Sequence, residues 1–240
     1  MKKGLLLIFF LALLTQPVLA KKHFRKFFKK SNVFFTKYTK DGKVDYESII
    51  NHPSDLNELV KYIGKANLAK ADENVVKAFY LNAHNLLVVY SVVESYPIRS
   101  PYDVEGFYNQ KLHNVAGEMI TLEQLENEKI FNSFRDFRMV FALSNGMNGS
   151  FPAPEQAYSP NKLERQLEMR MRLAANNENF VRVKKNSSKI LFSETIKRCK
   201  RDLKAEELLE YLNQYRSEAI PISYSIEFYP SDRRLNIKEK

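Results

Sequence analysis

The sequence predicts an α+β fold: a single helix-rich domain with a buried central helix and short antiparallel strands. Three observations carry this. Asp72 to Glu94, "DENVVKAFYLNAHNLLVVYSVVE", is long and apolar nearly all round, as a helix enclosed by other elements must be. Several short β-type runs are bounded by turn residues, with Asp-Gly or Ala-Gly at their apices. No internal repeat, long linker or low-complexity tract divides the chain, so one core is expected.

The elements follow in order. Lys2 and Lys3, the apolar run Gly4 to Leu14 and the small-residue pattern Val18-Leu19-Ala20 read as a secretory signal peptide over residues 1–20. The apolar run is short of the ~20 residues that span a bilayer. The expectation is an exported protein, periplasmic or extracellular after cleavage near Ala20. Residues 21–40 form a basic-aromatic arm, and residues 41–240 the domain proper. "YTKDGKVDY" reads as a strand-turn-strand about Asp41-Gly42, followed by a helix from Asp55 to Ile63. In the central helix Asp72 is placed to cap, and Pro97 lies beyond its end. "HNVAGEMITL" is a hairpin turning at Gly117, and Thr121 caps a short helix after it. Met139 to Leu143 reads as a strand running into a Ser/Asn/Gly loop. Ser159-Pro160 opens a helix to Ala175 with Leu163, Leu167 and Met171 on one face. Phe180 to Ser193 is a hairpin, helices follow at Glu194–Leu203 and Ala205–Tyr215, and "ISYSIEFYPSD" alternates like a last strand.

Charge is concentrated. The chain has 38 Lys and Arg against 28 Asp and Glu. The arm "KKHFRKFFKKSNVFFTKYTK" holds eight of the cations and no acid, so that beyond it the 28 remaining cations balance the 28 acids. Lys21, Lys22, Arg25, Lys26, Lys29 and Lys30, interleaved with Phe, suit an anionic membrane or envelope surface, and for an exported chain nucleic acid is not the expected partner. Phe24, Phe27/28 and Phe34/35 also sit near helical spacing, which equally suits an arm docked on the domain with its cations solvated. The single Cys, Cys199, excludes an internal disulfide and a four-Cys zinc site. The four His residues form no metal signature, and no cofactor is implied.

The motifs and their order resemble the family catalogued as domain of unknown function 547 (DUF547), over roughly residues 35–236. "YTKDGKVDY" is similar to the family's KYV-x-DG-x-VDY opening. "AFYLNAHNLLVVYSVVESYPIRS" resembles its FWINAYNALTI…YP…S helix, with Asn82 and Asn85 at the two Asn. "FYNQKLHNVAGEMITLEQLEN", "RDFRMVFALSNGMNGSFPAPEQAYSPNKLERQL" and "SDRRLN" resemble three further family segments. The resemblance implies a fold distantly like the cysteine peptidases. It also implies a site of Cys, His and acid, and at three of its reactive positions this chain departs. Asn127 stands at the His of the IEH motif, Val140 at the His before the FAL segment, and Asn145 at the Cys after it.

A Cys nucleophile works because an imidazole takes its proton. Asn145 is not ionisable, Asn127 cannot shuttle a proton, and Val140 can neither bond nor titrate. The resulting expectation is a binding or interaction module, with unknown ligand, that keeps the fold and has lost the chemistry. The alternative is a hydrolase or acyl-transferase-like enzyme using Ser150 or Ser144 with His84 or His113. Asn82 and Asn85, at i and i+3, share one helix face and either stitch the helix to a loop or bind a polar ligand. Glu126 and Arg138 are candidates for a retained polar pair beside them.

Overall fold

A computed structural model describes residues 22–199 and 204–239. The segment 1–20 expected to be a signal peptide, Lys21 and the expected end of the helix at residues 200–203 lie outside these. Helix α1 spans residues 22–38, the hairpin β1–β2 pairs Thr39–Lys40 with Lys43–Val44, and α2 (Tyr46–Asn51) and α3 (Ser54–Gly64) follow. The long helix α4 runs Glu73–Ser95. Beyond it come the hairpin β3 (His113–Val115) with β4 (Glu118–Ile120), the short α5 (Leu122–Gln124) and a π-helix over Leu125–Phe131. A 3-10 helix at Phe137–Ala142, α6 (Leu163–Ala175), β5 (Val181–Lys184), β6 (Lys189–Ser193), α7 (Glu194–Cys199), α8 (Ala205–Asn213) and β7 (Ser225–Tyr229) complete the fold. Among the described residues no helix is long and apolar enough to cross a membrane.

The arm does not stand apart from the domain. Phe24, Phe27, Ser31, Phe34, Phe35 and Tyr38 recur at three- and four-residue steps, which puts them on one face of α1, and all are buried. Phe24 and Phe27 meet Phe79 of α4 at ring-centroid distances of 5.9 and 5.2 Å. The opposite face carries Lys22, Arg25, Lys26, Lys29 and Lys30, all exposed. Burying aromatic rings of this size stabilises by a few kcal/mol each, so α1 is an integral wall of the core.

Two buried clusters make up the interior. The first surrounds α4 and takes in α1, α2, α3 and both small hairpins. The second lies between the three-stranded sheet β5–β6–β7, α8 and one face of α6. The expected strand at Met139–Leu143 is corrected here. Met139 and Ala142 enter the first cluster while Val140 and Phe141 enter the second. A segment serving as the seam between two cores needs its side chains sorted with a period near three, which a 3-10 turn supplies and a strand's period of two does not. Asp136 caps that turn by accepting the Arg138 N–H.

The short antiparallel strands are present, with one parallel pair added to them. β5 and β6 are antiparallel, but β6 and β7 pair in parallel from Lys189–Ser225 to Ser193–Tyr229. The helical connection through α7 and α8 returns the chain in the same direction, as a crossover must. Asp72 sits at the N-cap of α4 as expected, yet its side chain makes no capping bond. The turn glycines behave as their sequence suggested: Asp41-Gly42 and Ala116-Gly117 all take positive φ, the requirement of a two-residue hairpin turn.

Candidate functional site

The candidate site, residues 144–150, lies where the 3-10 seam ends, and it is held from three sides. The central helix supplies the first hold. Asn85 donates its Nδ2 to the carbonyls of Leu81 (2.7 Å) and Ala142 (3.0 Å), and its Oδ1 accepts the Ser144 N–H at 2.9 Å. Asn82 does the same one turn earlier: Nδ2 to Ala78 and Tyr158 carbonyls at 2.7 and 2.8 Å, Oδ1 from the Tyr158 N–H at 2.9 Å. Each amide thus pairs with an irregular segment as a peptide group in a neighbouring strand would. Both residues are buried and their amide hydrogens are spent on backbone, which is the stitching role.

The second hold comes from the C-terminal segment. Gly149 N–H and Asn148 N–H donate to the carbonyls of Asp232 (2.8 Å) and Arg234 (2.8 Å), and Asn236 N–H donates to Gly146 O at 3.0 Å. A Cβ on Gly149 would stand 2.4 Å from the Asp232 nitrogen, so only glycine admits this approach. Asn236 itself is buried; its Oδ1 accepts the Tyr46 hydroxyl at 2.7 Å, and its backbone carbonyl accepts the Val44 N–H at 2.9 Å. The third hold is internal. Ser150 Oγ donates to Met147 O at 2.7 Å and accepts the Asn145 N–H at 3.3 Å, while Tyr108 OH donates to Asn145 O at 2.7 Å.

Ser144 and Ser150 are therefore buried, and neither hydroxyl bonds to an imidazole. Ser150 Oγ is turned to backbone carbonyls, and Ser144 Oγ, like Asn145 Oδ1, makes no hydrogen bond. The cavity beside Ser144, lined in part by Asn85, Tyr46 and Asn236, has a volume of about 10 Å³. That is the space of a single water, far below the roughly 300 Å³ where small-molecule sites begin.

His84 serves another contact. Its ring is buried on α4, with Nε2 3.6 Å from Glu126 Oε2 on the π-helix and Nδ1 without a hydrogen bond. The expected pairing of Glu126 with Arg138 is replaced. The Arg138 guanidinium forks onto Asp136 (2.9 and 2.7 Å) and reaches Glu164 of α6 at 2.7 Å. Two residues of separation at the mouth of a 3-10 turn place Asp136 for the fork, and the packing of α6 brings Glu164 to the same guanidinium. Burial pushes the Asp136 carboxyl up, but the hydrogen bonds and charge of Arg138 more than offset it, leaving it below its ordinary value. Asn127 lies on the π-helix, where its carbonyl accepts the Asn132 N–H, and Val140 is buried in the second core.

One serine–histidine contact escaped sequence reasoning. Ser91 Oγ and His113 Nε2 stand 3.2 Å apart, linking α4 to β3. Burial holds the His113 imidazole down to about 4, helped by Lys111 and opposed by Glu94. Ser91 and His113 are both buried, so the pair joins two elements of the core and presents no nucleophile to solvent. The two residues are 22 apart, and only the β3–β4 hairpin's docking on α4 reveals them as neighbours.

Outside the loop, the basic face of α1 presents Lys22, Arg25, Lys26 and Lys29 without an ion pair among the described residues, whereas Lys30 bonds Glu58 at 2.7 Å. A further groove of about 750 Å³ separates α6 from the wall formed by residues 152–156.

Fold and site together define an α+β protein whose irregular segments are pinned to one buried helix by amide side chains. Residues 68–173 match the model of the family described as protein of unknown function, DUF547. The match runs from just before α4 to the end of α6 and includes Asn82, Asn85, Asn127, Val140 and Asn145; "YTKDGKVDY" and "SDRRLN" fall outside it. Neither the curated proteins nor the solved structures gave a match.

Proposed function

We propose that this chain is an exported, non-catalytic member of the DUF547 family that acts as a binding module, with the basic face of α1 resting on an anionic membrane or envelope surface. The observation that carries the non-catalytic reading is the fate of the loop's polar groups. At the positions where the family's resemblance implies Cys and His, Asn145 and Val140 offer no nucleophile and no base, and the two nearby hydroxyls are buried without an imidazole. Nucleophile and base act as a unit, so the loss of both is not rescued by the surrounding geometry.

The test of this reading is turnover. Incubation with activated esters, thioesters and peptide amides should give no burst and no covalent adduct by mass spectrometry. A Ser150 or Ser144 acyl-enzyme, abolished by Ser→Ala, would overturn it.

Surface binding rests on charge, since Phe24, Phe27, Phe34 and Phe35 of α1 are buried in the core and Phe28 packs half-buried against it. Binding to vesicles rich in phosphatidylserine should therefore fall steeply with added salt. Deleting α1 would strip the first core of Phe24, Phe27, Phe34, Phe35 and Tyr38, so charge reversal at Arg25, Lys26 and Lys29 is the informative change. Unaltered vesicle binding by that triple variant would remove the surface reading.

A further inference from the structure

The groove along α6 is built differently from the loop and does not depend on whether that loop is catalytic. One wall is the α6 face bearing Lys162, Arg165, Met169 and Leu173, spaced so that they share a side of the helix. Lys162 and Arg165 are exposed and carry no ion pair among the described residues. Met169 and Leu173 are 56% and 46% exposed, a large apolar commitment to water that single surface side chains seldom make in adjacent turns. The facing wall is Pro152 to Gln156 with the Asp41-Gly42 turn. Arg170 ties the two walls together by donating to the Pro152 carbonyl, and its Nε is buried without a partner. A Cβ on Gly42 would lie 2.5 Å from Pro152 Cβ, so the turn and the proline wall are seated tightly against each other.

We propose that this groove binds a single-chain anionic amphiphile, a long-chain fatty-acid carboxylate, with the head at Lys162 and Arg165 and the chain along Met169 and Leu173. Three features select this occupant. The cations stand at the N-terminal end of α6, where the helix dipole also favours an anion. The apolar pair lies toward the other end, and Lys162 to Leu173 covers about 16 Å of helix, the reach of an extended acyl chain. Asp41 and Glu155 on the facing wall repel a carboxylate, which fixes the head on the α6 side.

An extended peptide fits less well because the wall has few free donors. Of the seven residues 152–158, two are prolines, and the N–H groups of Ala153, Ala157 and Tyr158 are spent on Gly42, Asn32 and Asn82. A strand-adding partner needs a row of such groups. The volume of about 750 Å³ is in the range of sites that enclose ligands of this size.

Calorimetric titration of the full chain with laurate, kept below its micelle concentration, tests the assignment. A single saturable site is expected. The pair Lys162→Ala with Arg165→Ala should weaken binding by about tenfold, the loss of charge-assisted hydrogen bonds. Met169→Glu or Leu173→Glu should abolish it, while Lys184→Ala on β5 should leave it unchanged. All these positions are exposed, so the circular dichroism spectrum should not move. Absence of binding, or affinity unaltered by the groove variants, would overturn the proposal. So would equal affinity for a neutral alkyl glucoside, or binding of an acidic apolar peptide where laurate fails.

Discussion

The two cores are built by different means. Around α4, irregular segments at 142–144 and 157–159 are fixed by Asn82 and Asn85, and the chain's C-terminal segment is fixed by Asn236. Beneath the β5–β6–β7 sheet, backbone hydrogen bonds run strand to strand, and the interior is almost wholly aromatic and aliphatic. A sheet satisfies its own peptide groups; a core assembled from 3-10 turns and loops does not, and side-chain amides supply the missing partners. The first core therefore depends on a few polar atoms, and the second on volume.

That contrast predicts a graded series of effects. Asn82→Leu or Asn85→Leu, close in size but unable to bond, should cost about 4 kcal/mol, because each strands a buried N–H and carbonyls at once. Denaturant midpoints would measure it, and a loss below about 1 kcal/mol would break the distinction between the cores.

Phe34→Ala in the first core and Phe192→Ala in the second should each cost about 3 kcal/mol. Both should shift one common transition. Two separated transitions would show instead that the cores unfold independently.

Acid should act chiefly on the first core. His113 is buried with its pKa lowered from 6.5 to about 4, so the unfolded chain takes up a proton that the folded one refuses. Its contribution is intact above pH 6.5 and is lost as pH falls toward 4, a cost of up to ~3 kcal/mol. His113→Asn should flatten the stability profile in that window. Asp136 adds loss of the same sign at lower pH, since its folded pKa is depressed. Smallest of all, Lys189→Met should remove the exposed pair with Glu227 at a cost under about 0.5 kcal/mol.

Much of the fold could be read from the sequence because it is encoded locally. The buried α4, the Asp-Gly and Ala-Gly turns and the α6 stripe of Leu163, Leu167 and Met171 each announce themselves within a few residues. The helical spacing of the Phe residues in the arm was equally plain, but only the presence of Phe79 on α4 shows what they pack against. Met139–Leu143 misled because an apolar run of five has the same composition in a strand and in a seam between two cores. The parallel β7 was hidden for a related reason: strand direction depends on the crossover, not on the strand's own residues. Asn82 and Asn85 were legible as a pair, and their partners at 142, 144 and 158 were not, being 57 to 76 residues away.

The meeting of Asn236 with Val44, Tyr46 and Gly146 has a bearing on the order of events during synthesis. The contacts with Val44 and Tyr46 span 190 residues and more, and that with Gly146 spans 90, so the β1–β2 hairpin and the 144–150 loop wait for residues 232–236 before these partners exist. Bringing ends so far apart together carries a loop-closure cost and slows folding. A nascent chain stopped before residue 231 would leave the backbone of 146–149 without the partners that residues 232–236 supply.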